Sequence, residues 1–63
     1  MNKKIIRRIC VKTTGSRDIR NLTLYKEYFT RDSLHEDFIT VLDDHNDWAT
    51  YFKSSFIEVQ NEQ

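Results

Sequence analysis

The 63-residue chain contains no proline, and glycine and cysteine occur only once each, as Gly15 and Cys10. A single cysteine excludes an intrachain disulfide, which favours a reducing compartment, most simply the cytoplasm. Because proline is absent and glycine is scarce, most turns must be built from asparagine, aspartate and serine, whose side chains hydrogen-bond to nearby backbone.

No apolar run approaches the length of a membrane span, so a membrane partner is not expected. The first four residues are basic like the start of a signal peptide, but Arg7 and Arg8 interrupt the apolar stretch that would have to follow. A chain of this length suffices for one domain, which buries only about 60% of its unfolded surface. We therefore predict a single domain over residues 1–63, with residues 60–63 frayed.

The formal net charge is zero, but the charges are separated along the chain. Residues 1–20 carry seven basic groups and one acidic group, whereas residues 32–63 carry eight acidic groups and one basic group. Two interpretations are open. Basic and acidic strands pair with each other, which stabilises a sheet modestly, or the separation forms a bipolar surface that steers partners.

Several short segments are rich in β-branched and aromatic residues and predict strands. They are residues 5–13, 22–30, 38–41 and 48–52, followed by a 3₁₀ turn at 53–56 and a short strand at 57–59. Between the first two segments, residues 16–21 are almost entirely polar and predict an exposed loop.

Residues 33–42 admit two interpretations. Ser33 followed by Glu36 matches a capping box, and Leu34, Phe38 and Leu42 have helical spacing. Against a helix, residues 38–41 are four consecutive β-formers, and the polar cluster at 43–47 precedes another aromatic strand. The β-hairpin is therefore favoured over the helix.

The order of five strands, a long polar loop after the first, a late hairpin and a one-turn helix before the last strand resembles an SH3-like barrel. Four segments carry the resemblance: VKTTG (11–15), LTLYKEY (22–28), VLDD (41–44) and KSSFIEV (53–59). They are similar to segments of small SH3-like proteins of tailed bacteriophages. The sequence departs from these phage proteins at two places. Tyr25 occupies a position that is often glycine in them, and residues 45–47 replace a glycine-containing turn.

The resemblance implies a mostly all-β fold, a small five-stranded antiparallel SH3-like barrel with a short 3₁₀ turn before the last strand. It also implies a phage-encoded protein in the host cytoplasm that binds and modulates or inhibits a host protein. Proline-rich ligands are not expected, because the loop at 14–21 holds Arg17 and Arg20 with only Asp18, whereas recognition of such ligands by an SH3 domain needs an acidic loop.

The residues offer little for catalysis or metal binding. Cys10 lies mid-strand among apolar neighbours, so packing is favoured over a thiol–imidazole pair with His35 or His45. The aspartates at 43, 44 and 47 lack the length and glycine of a calcium loop, which favours turn formation. We expect no enzyme, no metal and no cofactor.

Two classes of binding remain. For a protein partner, the candidate residues are the acidic turn and the aromatic residues that follow it: Asp43, Asp44, Asp47, Trp48 and Tyr51. Most of the aromatic side chains of Trp48, Tyr51, Phe52 and Phe56 must fill the core of so small a domain, so one or two of them, with Trp48 or Tyr51 as the candidates, are expected to stay partly exposed. The alternative is a small β-barrel that binds nucleic acid through its basic residues, Arg7, Arg8, Arg17 and Arg20. The pI of about 6.7 disfavours this alternative.

Overall fold

The computed structural model describes residues 4–59, which form five strands, one α-helix and one 3₁₀ turn. The predicted fraying of residues 60–63 lies outside this range. In chain order the elements are β1 (Ile6–Cys10), α1 (Gly15–Asn21), β2 (Glu27–Asp32), β3 (Phe38–Leu42), β4 (Trp48–Phe52), the 3₁₀ turn (Lys53–Ser55) and β5 (Phe56–Glu58).

All five strands belong to one antiparallel sheet with the order β4-β3-β2-β1-β5. The predicted mostly β fold is therefore confirmed, as are the hairpin of β3 and β4 and the 3₁₀ turn before the last strand. The sheet is open, with β4 and β5 at its two edges, so the predicted SH3-like barrel is not confirmed. Basic β1 lies between β2 and β5, which places Arg8 opposite Glu58.

One face of the sheet, which we call the inner face, forms the core. Its buried apolar side chains alternate along the strands, as expected for a sheet with one buried side. Leu22, from the segment after α1, completes this cluster. The buried members are Cys10, Leu22, Tyr28, Ile39, Val41, Tyr51 and Phe56. The predicted packing role of Cys10 agrees with its full burial.

The inner face also contains a buried cation. Arg8 donates a hydrogen bond to Thr30 Oγ1 at 2.7 Å and forms an ion pair of 3.0 Å with Asp32. Thr30 in turn donates to the carbonyl of Ile6 at 2.6 Å. A buried charge needs such partners, so this network fixes the register of β1 against β2.

The predicted exposed loop at 16–21 is wrong, because residues 15–21 form helix α1. Asp18 explains the difference. Its buried carboxylate accepts hydrogen bonds of 3.0 Å from both the backbone N–H and the hydroxyl of Thr14. These contacts satisfy polar groups at the start of the helix, which otherwise lack partners. The composition of the segment does not reveal this four-residue pairing.

Residues 33–37 form a turn, and the capping-box interpretation is wrong. Ser33 Oγ accepts a hydrogen bond from the backbone N–H of His35 at 3.0 Å, a short-range contact that ends β2 and leads into β3. The run of β-formers at 38–41 therefore outweighs the helical spacing, as the hairpin interpretation required.

Two non-glycine residues adopt positive φ angles. Tyr25 has φ 68° in the turn before β2, and Asn46 has φ 61° in the turn between β3 and β4. Both substitute for glycine at positions where a left-handed backbone is needed. The second turn is one residue longer than a two-residue hairpin, because the N–H of Asp43 donates to the carbonyl of Asp47 and closes a three-residue loop.

Candidate functional site

The loop between β3 and β4, residues 43–47, is called the acidic turn below. Asp43 lies inside it and is buried. Its Oδ1 accepts hydrogen bonds from the backbone N–H groups of His45 at 3.0 Å and Asp47 at 3.2 Å, and its Oδ2 accepts one from the Tyr51 hydroxyl at 2.9 Å. These contacts confirm the predicted turn-forming role of the carboxylate.

Tyr51 is the second buried member of the predicted protein-binding set, with 3% of its surface exposed. Burial, together with the adjacent Asp43 carboxylate, raises the pKa of the Tyr51 phenol to about 12. Both effects disfavour the phenolate. The Arg17 guanidinium lies 4.7 Å from the ring centroid and donates to the carbonyl of Thr50 at 3.2 Å, so α1 contacts the edge strand β4 here.

Asp44 connects the acidic turn to the segment after α1. Its carboxylate accepts hydrogen bonds of 2.8 Å from Thr23 Oγ1, Lys26 Nζ and the Tyr28 hydroxyl. Partial burial disfavours its charge, but these three donors outweigh that effect and lower the pKa of Asp44. The backbone N–H of Asp44 also donates to the carbonyl of Asn21 at 2.9 Å, which ties the turn to the end of α1.

Asp47 and Trp48 differ from Asp43 and Tyr51 because they are exposed. Asp47 contributes its backbone N–H and carbonyl to the turn. Trp48 begins β4 with 40% of its surface exposed, as predicted, whereas Tyr51 is buried and Phe52, which was not the expected candidate, is 49% exposed. The predicted protein-binding set is therefore divided: Asp43 and Tyr51 are internal, Asp44 is held by three donors, and Asp47 and Trp48 face solvent.

The side of the sheet opposite the core is called the outer face. Strand pairing places three large apolar side chains side by side across it. Leu42 pairs directly with Trp48, and the register that pairs Thr30 with Val41 brings Phe29 next to Leu42. Phe29 is 53% exposed, and Leu42 is half-buried between its two neighbours. We call Phe29, Leu42 and Trp48 the outer row.

Other apolar side chains lie on the outer face apart from the outer row, separated from it by the Arg7–Glu27 ion pair on one side and by the Thr40–Thr50 pair on the other. Ile57 of β5 pairs with Ile9 of β1 on the same face, and Ile57 is exposed. Phe38 and Phe52 stack with ring centroids 5.2 Å apart at the other end of the β3–β4 hairpin. Only the outer row is contiguous, and contiguous apolar surface on a small protein marks a site of interaction more often than scattered exposed residues do.

Arg31 lies beside the outer row. Its guanidinium carbon is 4.1 Å from the ring centroid of Trp48, a cation–π contact across β3. On the same face, Arg7 pairs with Phe29 in register and forms an ion pair of 3.1 Å with Glu27.

The predicted nucleic-acid residues are not brought together on one surface. Arg7 lies on the outer face, whereas Arg8 lies on the inner face in its network with Thr30 and Asp32. Arg17 is engaged with Tyr51 and Thr50, and Arg20 is exposed on α1.

Other candidates have structural contacts of their own. The Cys10 thiol donates a hydrogen bond to the carbonyl of Lys12 at 3.4 Å, and burial raises its pKa, which disfavours a thiolate. His45 Nε2 lies 3.3 Å from the carbonyl of Arg20. Within residues 4–59, no three histidine, cysteine, aspartate or glutamate side chains are grouped to hold a metal ion, and no helix has the length and apolarity to cross a membrane.

No protein family, no curated protein and no solved structure shows a significant similarity to this chain.

Phe29, Arg31 and Leu42 were not among the predicted site residues. A signal for Phe29 was present, because Tyr28 and Phe29 are consecutive aromatic residues and a strand directs neighbouring side chains to opposite faces. One of the two must therefore leave the core. Arg31 gave no comparable signal, since its position over Trp48 depends on the register of three strands.

Proposed function

We propose that this chain is a non-enzymatic protein-interaction module that binds its partner through the outer face. The single observation that carries the proposal is the outer row, where Phe29, Leu42 and Trp48 expose contiguous apolar surface beside Arg31. Aromatic side chains and arginine are enriched among the residues that dominate binding energies at protein interfaces.

The resemblance to phage SH3-like proteins extends this proposal. It would make the chain a phage-encoded protein that acts in the host cytoplasm by binding and modulating or inhibiting a host protein. The order of strands, the late hairpin and the 3₁₀ turn support an SH3-like assignment. The open sheet and the helix in place of the first loop are where the chain departs from it.

Binding of nucleic acid is the weaker alternative. A single-stranded nucleic acid needs a basic groove that follows its backbone in addition to aromatic platforms. Here Arg7 and Arg8 lie on opposite faces of β1, and each has a carboxylate partner. Ion pairs of this kind reduce the counterion release on which such binding depends.

A capture experiment with matched variants tests the proposal. Phe29→Ser removes an exposed apolar side chain from the outer row, and Leu34→Ser removes a fully exposed one from the turn before β3. Immobilised wild-type protein and both variants are incubated with a lysate of the cells in which the gene is expressed, and bound proteins are identified by mass spectrometry. We expect a protein that binds the wild type and Leu34→Ser but is lost with Phe29→Ser. Equal capture by the two variants would contradict the outer face as the binding site.

A further inference from the structure

We infer that the outer face recognises an acidic, extended protein segment, in which one carboxylate binds Arg31 and an apolar side chain two positions away covers Phe29 and Leu42. This inference rests on the proposed function and adds the chemistry of the partner.

Arg31 is oriented for such a ligand. Its guanidinium carbon lies over the Trp48 ring, 4.1 Å from the ring centroid, and an arginine on an aromatic face still has N–H groups that can donate hydrogen bonds. Among residues 4–59 no carboxylate lies within ion-pair distance of it. The guanidinium is thus held in place without an acidic partner, and a carboxylate can accept two parallel hydrogen bonds from its edge.

Arg7 provides the contrast on the same face. Its guanidinium is already paired with Glu27 at 3.1 Å, so the charge of Arg7 is compensated within the protein. Among residues 4–59, a ligand that approaches the outer row therefore meets one cation without a carboxylate partner, Arg31, beside apolar surface, with Glu27 close by. One open cation suits one carboxylate, whereas a nucleic-acid strand presents a phosphate at every nucleotide.

The spacing along β2 sets the pattern of the segment. Arg31 and Phe29 are two positions apart on this strand, so their side chains rise from the same face about 6.8 Å apart. Side chains at alternate positions of an extended peptide have the same separation. A segment with an acidic residue and a large apolar residue two positions apart can therefore contact both Arg31 and Phe29. The apolar side chain then excludes water from the ion pair with Arg31.

The chain contains one tryptophan, Trp48, so its fluorescence reports on this site. The probes are two synthetic eight-residue peptides, one alternating glutamate with leucine and one alternating glutamine with leucine. Trp48 emission is titrated with each peptide in the wild type, in Arg31→Gln and in Arg20→Gln. The Arg20 variant removes the same charge from exposed helix α1 and is the matched control.

We expect the glutamate peptide to bind the wild type and Arg20→Gln with a Kd at least about tenfold lower than the glutamine peptide, a difference of about 1.4 kcal/mol. Arg31→Gln should lose this preference while its circular dichroism spectrum matches that of the wild type. Arg31→Lys, which keeps the charge but not the planar fork, should recover part of the preference.

Several results would overturn the inference. Equal affinity for both peptides, or absence of binding to either, would mean that the outer face does not select carboxylates. If the wild type still captured a protein that Phe29→Ser does not capture, the proposed function would stand even then. Saturable binding of oligothymidine at physiological salt that requires Arg31 would indicate nucleic acid instead. Sedimentation as a dimer that Phe29→Ser converts to a monomer would indicate a second copy of this chain.

Discussion

In the acidic turn, the carboxylates of Asp43 and Asp44 accept hydrogen bonds from two tyrosine hydroxyls, a lysine, a threonine and two backbone N–H groups. On the outer face, by contrast, the Arg31 guanidinium rests on an aromatic ring without a carboxylate among the described residues. The turn uses the carboxylates of Asp43 and Asp44 within the fold, whereas the outer face keeps surface that a partner can cover. Charge density alone therefore did not identify the better candidate for binding.

The largest effect expected from this contrast is loss of stability when Asp43 is replaced. Asp43→Asn removes the carboxylate that accepts from Tyr51 and two backbone N–H groups, and we expect a cost of about 2–3 kcal/mol. That cost is a large fraction of the roughly 3–5 kcal/mol available to a domain of this size. Urea unfolding measures it. The matched variant Asp47→Asn, at an exposed carboxylate of the same turn, should change stability by less than about 0.5 kcal/mol. Equal costs for the two variants would contradict the internal role of Asp43.

A second loss of stability, from the Tyr51 hydroxyl that donates to Asp43, is expected at high pH. The folded-state pKa of Tyr51 is about 12, above the ordinary value of 10, so folding favours the protonated phenol. The resulting stability is fully present below pH 10 and is lost as the pH rises toward 12, by about 2 kcal/mol over that window. Thermal unfolding at a series of pH values should show this decline in the wild type.

Tyr51→Phe provides the control for that titration. The variant is less stable at neutral pH because Asp43 loses a donor, but its stability should fall less between pH 10 and 12. Tyr28, whose pKa is also raised by burial, still titrates in the variant and accounts for a residual decline. An unchanged pH profile in Tyr51→Phe would show that Tyr51 does not contribute.

A smaller effect is expected at low pH from Asp44. The pKa of Asp44 is lowered in the folded state. Its contribution to the free energy of unfolding is therefore present above the unfolded pKa of about 3.8 and is lost as the pH falls through the lower folded pKa. Asp44→Asn should cost about 1 kcal/mol at pH 7, because three donors lose a charged acceptor that is only partly shielded from water. The variant should also show a flatter acid-unfolding profile. A profile as steep as that of the wild type would assign the acid sensitivity to other carboxylates.

The smallest stability change is expected on the outer face. Phe29→Ser and Arg31→Gln alter side chains whose loss leaves no buried polar group unpaired, so each should cost less than about 1 kcal/mol. Comparison of their unfolding midpoints with that of Asp43→Asn measures the contrast directly. A loss as large as that of Asp43→Asn would mean that the outer face contributes to folding as much as the turn does.

Most of the secondary structure could be predicted from local patterns. The β-formers at 38–41 and the polar cluster at 43–47 indicated the β3–β4 hairpin, because a strand–turn–strand sequence needs no distant contact. Helix α1 could not be predicted in this way. Its start depends on Asp18, and contacts of Arg17 with β4 and of Asn21 with the acidic turn hold it against the sheet.

The candidate site was predicted only in part. Trp48 was identified as a candidate exposed aromatic residue, but Asp43 was placed in the protein-binding set although it is buried. Its burial follows from the Tyr51 hydroxyl, which lies on the next strand and points at the carboxylate. The arrangement of Arg31 over Trp48 likewise depends on two strand pairings, and neither is encoded in a local motif.

The place of β1 between β2 and β5 has a consequence for how the protein folds. The β2–β3 and β3–β4 pairs join strands that follow each other along the chain, so they can form after short loops close. The β1–β5 pair joins Arg8 to Glu58, the first and last strands of the described range, and this contact has the largest loop-closure entropy. During synthesis, β1 must therefore keep an unpaired edge until β5 has been made. An unpaired edge can bind strands of other chains, and pairing of β1 with β1 of a second copy would be less favourable because the arginines at positions 7 and 8 place like charges side by side.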